Sequence, residues 1–393
     1  MTNLLFVYET EMPTVSITRN YWMNLSSEYG ITSKFVRLVD VKRAELKWCD
    51  ILMLIRPNNS LSWRVAQAVK RTGRFVITIC DDDLLHLPKT IPDLPWQKQG
   101  LIKALNNSSV IMSSSRYLLN QMIKFTVEKR GACVDTVVRQ QEIFERDYAE
   151  ETDDVVKIVY AAGGGQHESL FEEIVLPALK KVASRYPNSF SITFVSVHPN
   201  CSELEKDVHI KYVQGMPLLE YRKFMKESKF DIGVAPLESN DFTKCKYFNK
   251  YLEYSLSGIL GIYSNVEPYT YVVQDGLNGL LAENNHTSWE EKLVLAIGDS
   301  EYRATMARKA QEHVRKTFDE NNILQRLFSD IPELQRGGNT EYDDCGGFYR
   351  WLTYYRFLRG VEYIYKFFFY LKSEGLRSVM RKSAARIKML LFT

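Results

Sequence analysis

Lys229 to Asn284 reads KFDIGVAPLESNDFTKCKYFNKYLEYSLSGILGIYSNVEPYTYVVQDGLNGLLAEN. An apolar run at Asp231 to Ala235, too continuous to be half-exposed, leads through a loop into a helical pattern over 245–257. Two more apolar runs follow, at Ile259 to Tyr263 and Gly279 to Ala282. Strands buried on both faces and alternating with helices build a parallel sheet. On a helix over 245–257, Lys246, Lys250 and Glu253 are spaced i, i+4, i+7 and project from one face. Two lysines at that spacing repel by a few tenths of a kcal/mol, about 0.2 to 0.5, unless an anion sits between them, and a diphosphate is such an anion. The plain alternative is that the lysines are solvated and Glu253 pairs with Lys250. The expected position of the helix start at the sheet edge favours negative charge there by roughly 0.3 to 1 kcal/mol.

The same rhythm extends in both directions. Upstream in this half, strands are expected at Val156 to Ala162, Ser191 to Val197 and His209 to Val213, with helices near 167–186 and 217–227. Downstream, helices are expected near 287–298 and 300–317. The first 140 residues repeat the scheme with strands at Leu4 to Tyr8, Lys34 to Val39, Ile51 to Ile55, Phe75 to Cys80 and Val110 to Ser113. Residues 141–154, QEIFERDYAEETDD, are a polar, acidic interruption that divides a domain over 1–140 from one over 155–330. Two doubly wound halves are expected to face a cleft, with ligands beyond the strand C-termini.

The pattern DIGVAPL, Asp241-Phe242, Cys245-Lys246, Lys250-Tyr251-Leu252-Glu253-Tyr254, Gly258, Ser264, Pro268-Tyr269 and Gly276 to Gly279 resembles the GT-B glycosyltransferases of family 4. It is closest to the branch serving bacterial surface polysaccharides of O-antigen or rhamnan type. A weaker likeness runs over 155–320 through Trp289, Arg303, Ala310 and Val314. The resemblance implies two Rossmann-like domains with the acceptor on the first and the nucleotide sugar on the second. It implies a retaining, metal-independent transfer from a UDP-, GDP- or dTDP-sugar, with the nucleotide sugar as substrate and no cofactor. Lys246 and Lys250 would face the leaving diphosphate, Glu253 would accept from the ribose hydroxyls, and Pro268 and Tyr269 would belong to the donor site. One departure stands out: the wider family has a sugar-binding Glu eight residues before the helix Glu, and Cys245 occupies that place. Asp241 is the candidate to take over that contact, against the plainer role of a helix cap.

Gly163-Gly164-Gly165 sits between a strand and a helix, where backbone N–H groups can approach an oxyanion. It is not the dinucleotide fingerprint, and an ordinary tight turn explains it equally well. The resemblance sets this turn opposite the Lys/Glu helix, with His167 as a phosphate contact. Asp81-Asp82-Asp83 follows a strand end, as an Asp-x-Asp cation site of a GT-A enzyme would. In the GT-B reading the triplet lies on the acceptor side, together with Arg56 at the end of another strand.

The chain of 393 residues, 45% apolar, can bury two cores. Its six cysteines are at least 31 residues apart, which suits free thiols in a reducing compartment. No secretory leader is expected at the start, no uncharged 18-residue run could span a membrane, and no histidine spacing suggests a metal. Net charge is +3, yet residues 348–393 carry ten Lys/Arg against Glu362 and Glu374, so the tail is +8 and residues 1–347 are −5. This helical, basic and aromatic tail fits a membrane surface or an assembly partner, and nucleic acid is not an expected ligand. The expected place is the cytoplasm, peripheral on the inner face of the membrane. The rivals to an enzyme are an idle GT-B scaffold in a polysaccharide-assembly complex and, within enzymes, a GT-B sugar-nucleotide epimerase.

Overall fold

The computed structural model describes residues 1–25, 29–59, 61–86, 95–146, 148, 155–163, 168–337, 342–343 and 345–391. The chain divides into two compact units. The first is Met1–Ser113 with Leu119–Ala132 and Asp330–Thr393; the second is Ser114–Leu118 with Cys133–Ser329.

The first unit's sheet is built from β1 (Thr2–Tyr8), β2 (Ile31–Arg37), β3 (Ile51–Ile55), β4 (Phe75–Cys80), β5 (Val110–Ser113) and β6 (Gly131–Cys133). Helices α1 (Pro13–Leu25), α2 (Arg43–Trp48), α3 (Ser62–Lys70), α4 (Pro95–Asn106) and α5 (Arg116–Met122) punctuate them. The order is β2-β1-β3-β4-β5-β6, parallel at each registered pairing. The five strands read from apolar runs are present, and short β6 adds a sixth. All five residues of β3 are buried, which is why its sequence does not alternate.

The second unit's sheet uses β7 (Val156–Ala161), β8 (Phe190–Val195), β9 (His209–Val213), β10 (Ile232–Ala235), β11 (Leu260–Ser264) and β12 (Leu280–Ala282), in the order β12-β11-β10-β7-β8-β9. Between β7 and β8, α6 (Glu168–Leu170) runs through a π-turn at Phe171–Val175 into α7 (Leu176–Arg185). The helices that follow are α8 (Leu218–Glu227), α9 (Asp241–Lys244), α10 (Asn249–Leu256), α11 (His286–Gly298), α12 (Ser300–Thr317) and α13 (Glu320–Asp330). Strand order reverses between β7 and β10, the switch point at which doubly wound sheets hold ligands. Gly233 and Gly261 face each other in register across β10 and β11. A Cβ at Gly233 would lie 2.5 Å from the Tyr254 ring, and one at Gly261 1.9 Å from the Tyr263 hydroxyl, so both glycines admit aromatic rings against the strand.

The helix expected over 245–257 is shorter, because α10 starts only at Asn249, and a separate one-turn helix, α9, precedes it at Asp241–Lys244. Asn240 caps α9 by accepting from Thr243 N–H at 2.9 Å, and Cys245 closes that one turn. Lys246 therefore lies in the connection before α10, not one turn along the same helix as Lys250. Burial is the cause: Phe248 is 6% exposed beside Phe318, and the Tyr247 hydroxyl reaches Asp135, so the chain leaves the helical path to seat both rings.

The C-terminal segment belongs to the first unit. Phe348, Leu352 and Tyr355 of α14 (Gly347–Leu391) are buried in the core that contains Leu5, Val7 and Leu54. Arg74 secures the approach to α14. Its guanidinium donates to the Leu46, Cys49 and Asp343 carbonyls and lies against the sulfurs of Cys49 and Cys345. Burial pushes the Cys49 thiol up to about 12, so it is neutral there.

Candidate functional site

At the second unit's site, β10 and α10 supply the chemistry. Lys250 and Glu253 are one turn apart on α10, and Lys250 Nζ donates to Glu253 Oε2 at 2.5 Å. The Tyr221 hydroxyl on α8 donates to the same oxygen at 2.9 Å and accepts from Lys250 Nζ at 3.3 Å. Burial first, and the Glu253 charge second, hold the Tyr221 hydroxyl well above its ordinary pKa, so it stays a neutral donor. The three side chains close a ring in which Oε2 is committed and Oε1 is left to accept from hydroxyls. Lys250 has three N–H bonds, two of them used in this ring, which leaves one for an anion. The plain pairing of Lys250 with Glu253 is thus present, and Tyr221 is the member that sequence spacing did not disclose.

The other donor-site candidates lie on the segments after β11 and β7. Tyr269 is buried at the start of a 3-10 turn, its ring tilted against Tyr263 with centroids 4.9 Å apart. Burial, followed by the charge of Glu253, keeps its hydroxyl protonated. Pro268 precedes it and is also buried. Beneath them, Ser264 at the end of β11 accepts from Leu237 N–H (2.8 Å) and donates to Asn284 (2.6 Å), while Asn284 donates to the Leu237 carbonyl (2.9 Å). This knot fixes the loops after β10, β11 and β12 to one another. Gly163 follows β7, beside β10 in the sheet, and is exposed with open space around it. Gly164, Gly165 and His167 lie outside the described residues.

Asp241 and Lys246 form a second group. Asp241 is the first residue of α9, and Asn240 is the cap, so the capping role expected for a loop Asp falls to its neighbour. The Asp241 carboxylate is largely exposed, accepts from the Tyr117 hydroxyl at 3.0 Å and faces Lys244 at 3.7 Å. The Lys246 ammonium sits 4.9 Å from the Phe242 ring centroid. Cys245 is 1% exposed and packed inward, so its thiol is turned away from any sugar.

In the first unit, Arg56 ends β3 with φ of +49°, a left-handed backbone uncommon outside glycine. Its guanidinium donates to Asp81 and Asp82, both at 2.9 Å. Thr14 adds a second donor to Asp81, and Asp83 instead accepts from the His86 ring at 2.8 Å and from two backbone N–H groups. Asp81 and Asp82 thus share one guanidinium nitrogen, Asp83 is committed to His86 and its own turn, and Asp81 Oδ1 is buried with no hydrogen-bond partner among the described residues. No group of described residues forms a metal-ligand cluster. Beside Arg56 lies a small pocket of about 10 Å³, room for about one water molecule, walled by Tyr8, Glu9, Ile55, Pro57, Asn59 and Ser62. Asn59 is fully buried. Its Oδ1 accepts from Leu61 N–H and Ser62 N–H in the turn that leads into α3, whereas its Nδ2 has no hydrogen-bond partner among the described residues. The cost of an orphaned buried donor, roughly 1 to 3 kcal/mol, is recovered when a ligand supplies an acceptor. An Asn just before a helical pattern is the signal that could have singled out this residue.

Solved structures match this architecture over most of the chain. Anabaena Alr3699/HepE, determined in complex with UDP-glucose, aligns with 84% of this chain and 100% of its own at TM-score 0.56 and 13% identity. The Rickettsia africae glycosyltransferase aligns over 86% and 99% at TM-score 0.60 and 15% identity. The chain has the GT-B fold. Sucrose-phosphate synthase from Thermosynechococcus elongatus shares it, with TM-score 0.62 and 11% identity over 85% of this chain and 99% of that one. Neither a family model nor a curated protein matches the sequence.

Proposed function

We propose that this GT-B chain is a glycosyltransferase that moves a sugar from a nucleotide diphosphate to a hydroxyl of a glycan or lipid-linked glycan. The observation that carries the reading is the Tyr221–Lys250–Glu253 ring, two members of which lie on α10, the helix that packs on β10 through the Tyr254 hydroxyl and the Val234 carbonyl. Glu253 Oε1 is suited to ribose hydroxyls, and Lys250 to the diphosphate. Charge grows on that diphosphate as the glycosidic bond breaks, so a cation already in place lowers the barrier most. Lys246 and the amides of the turn beginning at Gly163 are assigned to the same phosphates, and Asp241, Pro268 and Tyr269 to the sugar side. Fold neighbours whose structures hold UDP and glucose support a sugar-nucleotide donor.

The finer assignments follow the sequence resemblance: family 4, retention of anomeric configuration, no metal, and a hexosyl or deoxyhexosyl transfer in bacterial surface polysaccharide synthesis. Arg56, Asp81 to Asp83 and the Asn59 pocket are proposed to bind the acceptor. The protein is placed in the cytoplasm, with the segment 348–393 as its contact to a membrane surface.

The test is a donor screen that follows release of UDP, GDP or dTDP in the presence of glycan acceptors. Release that depends on acceptor supports transfer; donor conversion without acceptor points to an epimerase. The inward-facing Cys245 favours one other reading, a scaffold that transfers nothing. Calorimetry separates the two, because a scaffold would bind none of the three nucleotides.

A further inference from the structure

The 45 residues of α14 are two helices joined at Gly375, where φ is +79° and ψ is 170°. The first begins inside the core of the first unit, through Phe348, Leu352 and Tyr355. Farther along, apolar and aromatic side chains turn to solvent. Ile364 is 60% exposed and Phe368 61%, with Tyr363, Tyr365 and Phe367 also exposed. Beyond the joint, Leu376 and Met380 are 58% and 63% exposed. Scattered exposed apolar residues are ordinary, but this many along one helix forms a patch that needs a partner.

The charge pattern names the partner. In sequence, residues 375–393 hold five Lys/Arg and no acidic residue, while apolar residues recur at 376, 379, 380, 387, 390 and 391. Apolar residues at helical spacing among lysines and arginines, preceded by a Tyr- and Phe-rich stretch, suit the boundary between headgroups and acyl chains. No helix among the described residues is long and apolar enough to cross a membrane. Residues 1–347 carry −5 and the tail +8, so an anionic surface repels the body and attracts the tail, which orients the molecule tail-first.

We infer that the distal part of α14, through the exposed side chains between Tyr363 and Met380 and the basic sequence that follows them, is an interfacial anchor whose occupant is an anionic lipid surface. The inference deepens the proposed membrane contact and holds whether or not sugar transfer is the reaction.

The experiment uses the full chain with phosphatidylcholine vesicles and with vesicles containing about one-third phosphatidylglycerol. The chain is expected to sediment with the anionic vesicles only, and about 0.5 M salt is expected to release most of it, since screening shortens the reach of each charge. Arg381→Glu with Lys382→Glu, and separately Ile364→Ser with Phe368→Ser, are each expected to cut the bound fraction at least about tenfold. Circular dichroism and nucleotide calorimetry on the same samples report folding and the donor site independently. Wild type that stays in the supernatant with anionic vesicles would overturn the anchor, as would a charge-reversed variant that sediments like wild type. A salt-stable dimer that buries α14 and ignores vesicles would overturn it in favour of a second copy of the chain. Loss of nucleotide binding with vesicle binding intact would instead count against the transferase reading alone.

Discussion

The Tyr221 hydroxyl donates to Oε2 of Glu253 at 2.9 Å, reaching from α8 to α10 across 32 residues of sequence. With Lys250 on the same oxygen, the carboxylate is held at two points before any hydroxyl approaches it. Tyr221→Phe removes one of those points and almost no volume. The expected result is nucleotide binding weakened about five- to twentyfold, the worth of one hydrogen bond to a charged group, with the melting temperature little changed. Titration calorimetry with UDP, GDP and dTDP checks it, and unchanged affinity would leave Tyr221 a packing residue.

Lys250→Ala has a different signature. It leaves the bond from Tyr221 to Glu253 in place and removes the cation proposed to face the departing diphosphate. Transfer is expected to fall about 10²- to 10³-fold, with a smaller change in donor KM. Near-normal release of nucleotide diphosphate by the variant would end the assignment.

Behind α10, Tyr251 accepts from Asn278 Nδ2 at 3.0 Å and so turns its own hydrogen to His313 Nδ1 at 2.6 Å. Burial depresses the His313 pKa below 6.5. A base whose folded pKa is lowered binds fewer protons than in the unfolded chain, so its contribution is complete above pH 6.5 and is lost as pH falls through the folded value. Between pH 7 and 5 the wild-type melting temperature should therefore drop more than that of His313→Gln. Parallel melting curves for the two proteins would refute this.

Gly233→Ala and Gly261→Ala each place a methyl group where an aromatic ring now lies. Overpacking of that kind costs about 1 to 3 kcal/mol, or several degrees of melting temperature for a unit of this size. Calorimetric scans test it, and a tolerated alanine at Gly261 would mean that Tyr263 can swing clear.

The sheets were legible because central strands such as β3, ILMLI, are near-continuous apolar runs without alternation, which suits a strand covered on both faces. Lys250 and Glu253 were legible for a local reason: their separation on α10 is set by helix geometry. Lys246 was misplaced because Tyr247 and Phe248 trade helical continuity for burial, a decision made by Asp135 and Phe318, which are distant in sequence. Tyr221 was missed for the same kind of reason, since its partners lie on another helix, whereas Asn59 had a local signal in its place just before a helical pattern. The Arg56 bonds to Asp81 and Asp82 depend on two strand ends meeting in the sheet, and on a backbone angle that nothing in the local sequence announces.

Glu9 closes β1 and lines the pocket beside Arg56, and its carboxylate accepts from the hydroxyl of Tyr355 on α14 at 2.7 Å. Under the proposed anchoring, a shift of α14 would reach the lip of that pocket through this bond. Lateral tension or curvature that shifts α14 would pull on Glu9, so acceptor capture by this protein should respond to the mechanical state of the lipid beneath it as well as to its charge.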